Sequence, residues 1–275
     1  GVFYPEGGIG GVVDAIVELD RDLGVTFRTG EPVEAIRGSR GNFTVRTSER
    51  EYSPDLVVSD ADYAHTEQAL LEPADRQYDA DYWESRTYAP SAFMLYLGVE
   101  GEVPELAHHT LVLPGDWEAH FDSIFDDPAW PDDPAYYVSV PSETDDTVAP
   151  DGHSAVVVLV PIAPGLDDDE QTRERYREQI LTDLAAEADT DLRDRIVFER
   201  TVSVSEYEQF YNSMRGTALG LAHTLRQTAV LRPGHRSSAM DGLYFTGSYT
   251  TPGIGVPMTL ISGEHTADYL IDDET

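Results

Sequence analysis

Cysteine is absent from the 275-residue sequence, which excludes disulfide staples, thiolate catalysis and cysteine-held iron–sulfur clusters. Lysine is absent too. All 18 basic residues are arginine, set against 52 Asp and Glu, for a formal net charge of -34 at pH 7. A surface so poor in positive charge repels phosphate backbones, so nucleic acid is excluded as a partner. Long apolar runs are missing as well. The longest, Ala155 to Ala163, falls well short of the about 20 residues that cross a bilayer. No signal-peptide pattern is visible, which leads us to expect a cytoplasmic protein.

What is present is acid and enough hydrophobe to build a core. Hydrophobic residues make up 40% and aromatics 10% of the chain, which rules out a disordered polymer and allows one large domain or two smaller ones. The acidic residues run through the whole sequence. Their mutual repulsion is screened at molar salt, where the Debye length is about 3 Å, so the composition reads as adaptation to a salty, halophilic setting.

Along the chain, residues 1–65 read as α/β. A glycine-rich turn, Gly1 to Gly11, leads into a helical spacing of Val12, Val13, Ile16, Val17, Leu19 and Leu23, with Gly24 as the stop. Strands are expected at residues 25–30 and 31–39, in a hairpin at 42–53 and in the run Asp55 to Ser59. Residues 66–235 are sheet-rich, with strands at Ser91 to Val99, Ala135 to Pro141, Ser154 to Ile162 and Arg195 to Ser203. They also hold a helix from Asp168 to about Ala188 that gathers Tyr176, Ile180, Leu181 and Leu184 on one face. Residues 236–275 return to α/β. A short strand, Gly242 to Gly247, is followed by a Gly/Pro turn and a helix with Leu260, Ile261, Ala267, Leu270 and Ile271 available for packing.

The strand–turn–helix from Leu243 to Leu270 carries the most chemistry. Small residues at Gly253 and Gly255 let a flat ligand approach the backbone, and Pro257 suits a first helical turn. The positive end of that helix favours an anionic ligand atom. Read alone, the turn is equally ordinary αβ architecture.

The string Gly242-Leu-Tyr-Phe-Thr-Gly247, followed by Thr251-Pro-Gly-Ile-Gly-Val-Pro257 and Ser262-Gly263, resembles the C-terminal signature of phytoene desaturase-type flavoproteins of the flavin amine oxidase superfamily. Tyr4-Pro-Glu-Gly-Gly8 with Pro32-Val33, the stretch from Tyr137 to Asp145 followed by Ala149 to Gly152, and Arg232-Pro233 resemble other segments of that family, in the order the family places them. The resemblance is haloarchaeal-like in composition and covers nearly the whole chain. It implies an α/β (α+β) fold: a partial FAD-binding domain of the glutathione-reductase-like type at residues 1–65 and 236–275, with a sheet-rich substrate domain, 66–235, inserted between them.

The same resemblance implies FAD as cofactor, a long polyene hydrocarbon such as a carotenoid precursor as substrate, and peripheral contact with the inner face of the cell membrane. It implies that Val33 lies near the adenine side of FAD, Gly247 and Ser248 along the ribityl and diphosphate path, and Pro252, Gly253, Gly255, Val256 and Pro257 behind the isoalloxazine ring. Candidates for an apolar substrate tunnel are Phe93, Met94, Tyr96, Phe210, Tyr211 and Met214, each of which could equally be core. The reaction would be hydride removal, with the hard step carried by the cofactor, and no catalytic acid or base is assigned.

Two departures stand out. Ser248-Tyr249 occupies the place of a small Ala-Gly pair, so Tyr249 is expected to crowd or line the flavin edge. The G-x-G-x-x-G turn that cradles the FAD pyrophosphate is missing. The sequence is therefore expected to be the C-terminal portion of a longer protein, binding FAD weakly and inactive alone. A carotenoid isomerase or another flavin amine oxidase relative, and a non-catalytic lipid- or polyene-binding module, stay open. His108-His109 is read as a loop pair whose side chains point apart, and no metal site is expected. Asp167 to Glu170 is read as an acidic helix start.

Overall fold

The computed structural model describes residues 3–5 and 7–275. Gly1 and Glu6 of the opening motif, and Val2, lie outside the described residues. In chain order the elements are α1 (Ile9–Asp22), β1 (Val33–Arg37), β2 (Thr44–Thr47), β3 (Glu51–Tyr52), β4 (Val57–Ser59), α2 (Tyr63–His65, running into a π-helical turn Thr66–Leu70), α3 (Ala80–Glu84), β5 (Ser91–Glu100), β6 (His109–Val112), α4 (Trp117–Phe125), β7 (Tyr136–Ser139), β8 (His153–Ile162), α5 (Glu170–Glu187), β9 (Ile196–Val202), α6 (Val204–Tyr211), β10 (Leu243–Phe245) and α7 (Val256–Glu274). The fold is mixed helix and sheet. The chain divides into two units, Gly1–Phe27 with Ala92–Ser203, and Arg28–Ser91 with Val204–Thr275.

The first unit is built on one sheet of order β6-β7-β8-β5-β9. Alternation makes the sheet one-sided. In β8, Ser154, Val156, Val158, Val160 and Ile162 are buried while the residues between them are half-buried. α5 packs through Tyr176, Ile180, Leu181 and Leu184, all buried, as its periodicity requires. Asp169 caps that helix by accepting from the Thr172 N–H at 2.7 Å, so the acidic run there serves the helix end. The β5–β9 pairing, Met94↔Val202 through Gly98↔Phe198, is antiparallel.

In the second unit, β1-β2-β3 form a small antiparallel sheet, and β4 and β10 a two-stranded parallel one. Burial of Ile36, Phe43, Tyr63, Leu70, Trp83, Tyr88, Leu221, Leu243 and Phe245 gives this unit its core. The Tyr63 and Phe245 rings stack with centroids 3.6 Å apart.

Three local expectations are revised. Residues 25–30 join no sheet. α7 does not pack through Leu260, Ile261 or Ile271, which are exposed; it buries Ser262 and Thr266. Their small hydroxyl side chains let the helix approach β10 closely and satisfy its polar groups: Thr266 Oγ1 donates to the Phe245 carbonyl at 3.1 Å, and Ser262 Oγ accepts the Gly247 N–H at 2.9 Å. Finally, the His108 and His109 rings do not point apart but lie 4.2 Å from each other. β6 begins only at His109, so strand alternation does not yet govern His108. Each ring meets a hydroxyl, Thr144 Oγ1 and Tyr137 OH respectively, both at 2.6 Å.

Candidate functional site

Parallel strands gather ligands at their carboxyl ends, where the loops diverge. β4 and β10 pair in register as Leu243↔Val57, Tyr244↔Val58 and Phe245↔Ser59. Both strands therefore end together. Asp60-Ala61-Asp62 leaves one and Thr246-Gly247-Ser248-Tyr249 the other, joined by the Thr246 N–H donating to the Ser59 carbonyl at 3.1 Å. These two ends, the C-terminal half of α6, the 212–220 loop and Thr259 of α7 line an open cavity of about 600 Å³. Its lining includes an aromatic group, Tyr207, Phe210 and Tyr211, and two acidic residues, Asp60 and Asp62.

The two carboxyls differ in kind. Asp62 is committed. Oδ1 accepts the His65 N–H at 2.9 Å as the cap of α2, while Oδ2 accepts the Met214 N–H at 3.2 Å and the Tyr249 hydroxyl. Removal from water still lifts its carboxyl above the ordinary range, against the pull of those donors. Asp60 stands open to the cavity and, among the described residues, takes part in no hydrogen bond or ion pair. Its carboxyl is raised by desolvation. Gly247, at φ 90°, passes so close to Asp60 that a Cβ there would collide with Asp60 Oδ1.

Behind the cavity, the turn after β10 is held by one buried cation. Arg232 Nε donates to the carbonyls of Tyr249 (3.2 Å) and Thr250 (3.0 Å), and Nη2 to that of Ser248 (2.5 Å). Nη1 donates to the carbonyls of Leu221 (3.4 Å) and Gln227 (3.2 Å). Burial lowers the Arg232 pKa from its ordinary value. His235 adds a second tie, its ring nitrogens meeting Thr266 Oγ1 at 2.8 Å and Thr251 Oγ1 at 2.9 Å.

The residues singled out in the sequence fall in several places. Gly247, Ser248, Phe210 and Tyr211 line the cavity together. Pro252, Gly253 and Gly255 form the turn, and Val256 and Pro257 open α7; none of the five lines that cavity. Val33 begins β1 opposite Thr47. The Met214 side chain packs against the core cluster, while its N–H reaches Asp62. Phe93 and Met94 are buried in the other unit, Phe93 edge-on to Trp130 and Tyr176. Tyr96 lines a separate apolar groove of about 450 Å³ with Gly98, Val156 and Phe198. Tyr249 turns into the core, with its hydroxyl on Asp62 and its ring edge-on to Trp83. The cavity-lining residues Asp60 and Asp62 went unnoticed in the sequence, although their place just after a buried strand run was a usable signal.

The turn suits a flat, electron-rich ligand. At Gly255, φ 113°, a Cβ would meet nothing nearer than Met258 Cγ at 4.0 Å, so the space beside the backbone is open. Gly255 caps α7 without a side-chain acceptor, and no acidic residue lies in the first turn, so the positive helix end is not neutralised from within. Among the described residues no group of three His, Asp or Glu could hold a metal ion, and no helix is long and apolar enough to cross a membrane.

The profile of a family described as flavin containing amine oxidoreductase matches residues 1–271. A carotenoid 3,4-desaturase of Haloarcula japonica is 63% identical over 274 residues, 99% of this chain and 55% of that protein. A zeta-carotene-forming phytoene desaturase of Myxococcus xanthus is 33% identical over 277 residues, 98% of this chain and 53% of that protein. The chain thus spans about half the length of these relatives. Among solved structures, an oxidoreductase from Methanosarcina mazei superposes with TM-score 0.63 at 19% identity, over 96% of this chain and 55% of that one, a likeness of fold.

Proposed function

The chain belongs to the flavin containing amine oxidoreductase family, and from that premise we propose that it is the flavin- and polyene-binding half of an FAD-dependent carotenoid desaturase. The observation that carries this reading is the cavity at the paired strand ends, where Gly247 and Ser248 share the lining with Phe210 and Tyr211. The 63% identity to a carotenoid 3,4-desaturase supports the same substrate class.

In this reading the β4–β10 ends, the turn 251–255 and the start of α7 belong to a glutathione-reductase-like FAD domain, formed from residues 1–65 and 236–275. Val33 serves the adenine side, and the inserted segment 66–235 holds the polyene. Gly255 keeps the backbone approachable, Gly253 makes room for the His223 ring that packs on the turn, Pro252, Val256 and Pro257 back the flavin ring, and the α7 N-terminus stabilises negative charge on its edge. Arg232 fixes the carbonyls of that turn. Bound FAD supplies the hydride acceptor. Of the sheet-rich segment, Tyr96 offers apolar surface to the polyene in its groove, while Phe93 and Met94, being buried, support that strand from within. The net charge of -34 fits a cytoplasm of molar salt, and the substrate's insolubility argues for peripheral contact with a membrane.

The test is product analysis with the complete protein purified in molar salt and supplied with an acyclic carotene. Loss of two hydrogens per step with a lengthened chromophore is expected. Geometric change at constant mass would favour an isomerase, and tight carotene binding without flavin a non-catalytic carrier.

A further inference from the structure

We infer that His223 positions the turn that receives the flavin ring, its Nε2 accepting the Ile254 N–H. The inference rests on the flavin reading above and adds to it a residue outside the turn.

The backbone around this turn needs partners of two kinds. The carbonyls of Ser248, Tyr249 and Thr250 take donors from Arg232. A guanidinium has donors only, so Arg232 cannot serve an N–H. The Ile254 N–H, between the two glycines, finds its acceptor in His223 Nε2 at 3.3 Å. That bond fixes the tautomer. Nε2 is bare, so the neutral ring carries its proton on Nδ1 and directs it to Thr228 Oγ1, 3.4 Å away.

The loop bearing His223 is itself anchored. The Ala222 N–H donates to the Thr87 carbonyl at 3.0 Å, and the Gln227 side chain bonds the Thr87 N–H at 2.9 Å and its carbonyl at 2.8 Å. Arg232 donates to the carbonyls of Leu221 and Gln227, on either side of His223. Loop and turn therefore meet twice, through Arg232 at 248–250 and through His223 at 253–254. At Gly253 the imidazole stands where a side chain would otherwise be: a Cβ there would lie 2.4 Å from both Cε1 and Nε2. Beside Gly255 the space is open, so the imidazole occupies one glycine and leaves the other to the ligand.

A protonated imidazole cannot accept. It would also set a second cation near Arg232, the charged group that bears on the ring. The ring is exposed, so solvent protons reach it, and desolvation and Arg232 together lower its pKa. The tie is therefore made at neutral pH and lost on acidification below the ordinary histidine value of about 6.5.

The experiment titrates FAD into the complete protein, stripped of flavin and held in molar salt, between about pH 8 and about pH 5. The variants are His223→Ala, His223→Phe and His223→Gln, each checked by circular dichroism. Gln is the conservative one, because its amide oxygen reaches the place of Nε2 and accepts at every pH. Losing the acceptor predicts flavin binding about 3- to 10-fold weaker in the Ala and Phe variants at the upper pH, the worth of one hydrogen bond, and close to wild type in the Gln variant. Wild type should weaken by about the same factor between the upper and the lower pH, beyond any drift of the Gln variant. Independently of flavin, imidazole ¹⁵N resonances that vanish in the Ala variant should show a protonated Nδ1 and a bare Nε2 at the upper pH. A Phe variant that binds FAD within about twofold of wild type would reduce His223 to packing and overturn the inference, as would a Gln variant with the pH profile of wild type. A wild type that binds no flavin would overturn the flavin reading, and the role of His223 with it.

Discussion

Replacing Arg232 by Met asks whether one buried cation organises the turn after β10. The guanidinium donates to five backbone carbonyls, those of Leu221, Gln227, Ser248, Tyr249 and Thr250. Met keeps much of the stem but donates nothing, so all five carbonyls lose a charged partner. Each such bond has a net worth of about 1.5–3 kcal/mol. The sum is not realised, because the turn relaxes toward water and because the variant no longer buries a charge. A loss of about 3–5 kcal/mol is expected, the range for breaking a buried polar network. For a chain of this length that lowers Tm by roughly 6–20 °C. Lys should fall between the two, since an ammonium has three donors and no planar fork. The assay is denaturant unfolding in molar salt, with flavin retention as a second readout. A Met variant within about 1 kcal/mol of wild type would refute the claim that Arg232 holds the turn.

Glu67 is fully buried, accepts N–H bonds from Gln77 (3.0 Å), Tyr78 (3.1 Å) and Trp83 Nε1 (3.2 Å), and has its carboxyl pushed up to about 7 by burial. With the folded value above the ordinary 4.5, the unfolded chain ionises first, so stability should decline as pH rises from about 4.5 through about 7, by about 3 kcal/mol from this group. Glu67→Gln should abolish that slope, and at pH 5 should cost about 1–3 kcal/mol, because one amide oxygen cannot serve three donors. An unchanged slope in urea midpoints across this pH range would refute the assignment. Screening of the -34 charge predicts an unfolding midpoint that climbs between about 0.1 and 1 M salt as the Debye length shrinks from about 10 to 3 Å, and a flat response in calorimetry would contradict it.

Periodicity showed the α5 face and the long strands because their burial is set by local alternation: Tyr176, Ile180, Leu181 and Leu184 face one way whatever lies opposite. α7 was harder. Its Leu260, Ile261 and Ile271 are exposed, and its fully buried contacts are Ser262 and Thr266, because hydroxyls against strand carbonyls allow a closer approach than leucines do. Hydropathy carries no sign of that choice. The candidate site divides in the same way. Gly247 and Ser248 stand in a recognisable string, whereas Asp60 meets them only because β4 and β10 pair in parallel across a long stretch of sequence. Phe93 and Tyr96 looked alike as tunnel residues, but an odd offset along β5 sends Phe93 into the core and Tyr96 to the outer face.

The account turns on whether electrons leave the polyene for a flavin held at these strand ends. Anaerobic single-turnover mixing of the complete, flavin-loaded protein with an acyclic carotene measures that directly. Bleaching of the oxidised flavin spectrum should run in step with the red shift of the polyene, one flavin per new double bond. A polyene that changes while the flavin spectrum stays constant would contradict it.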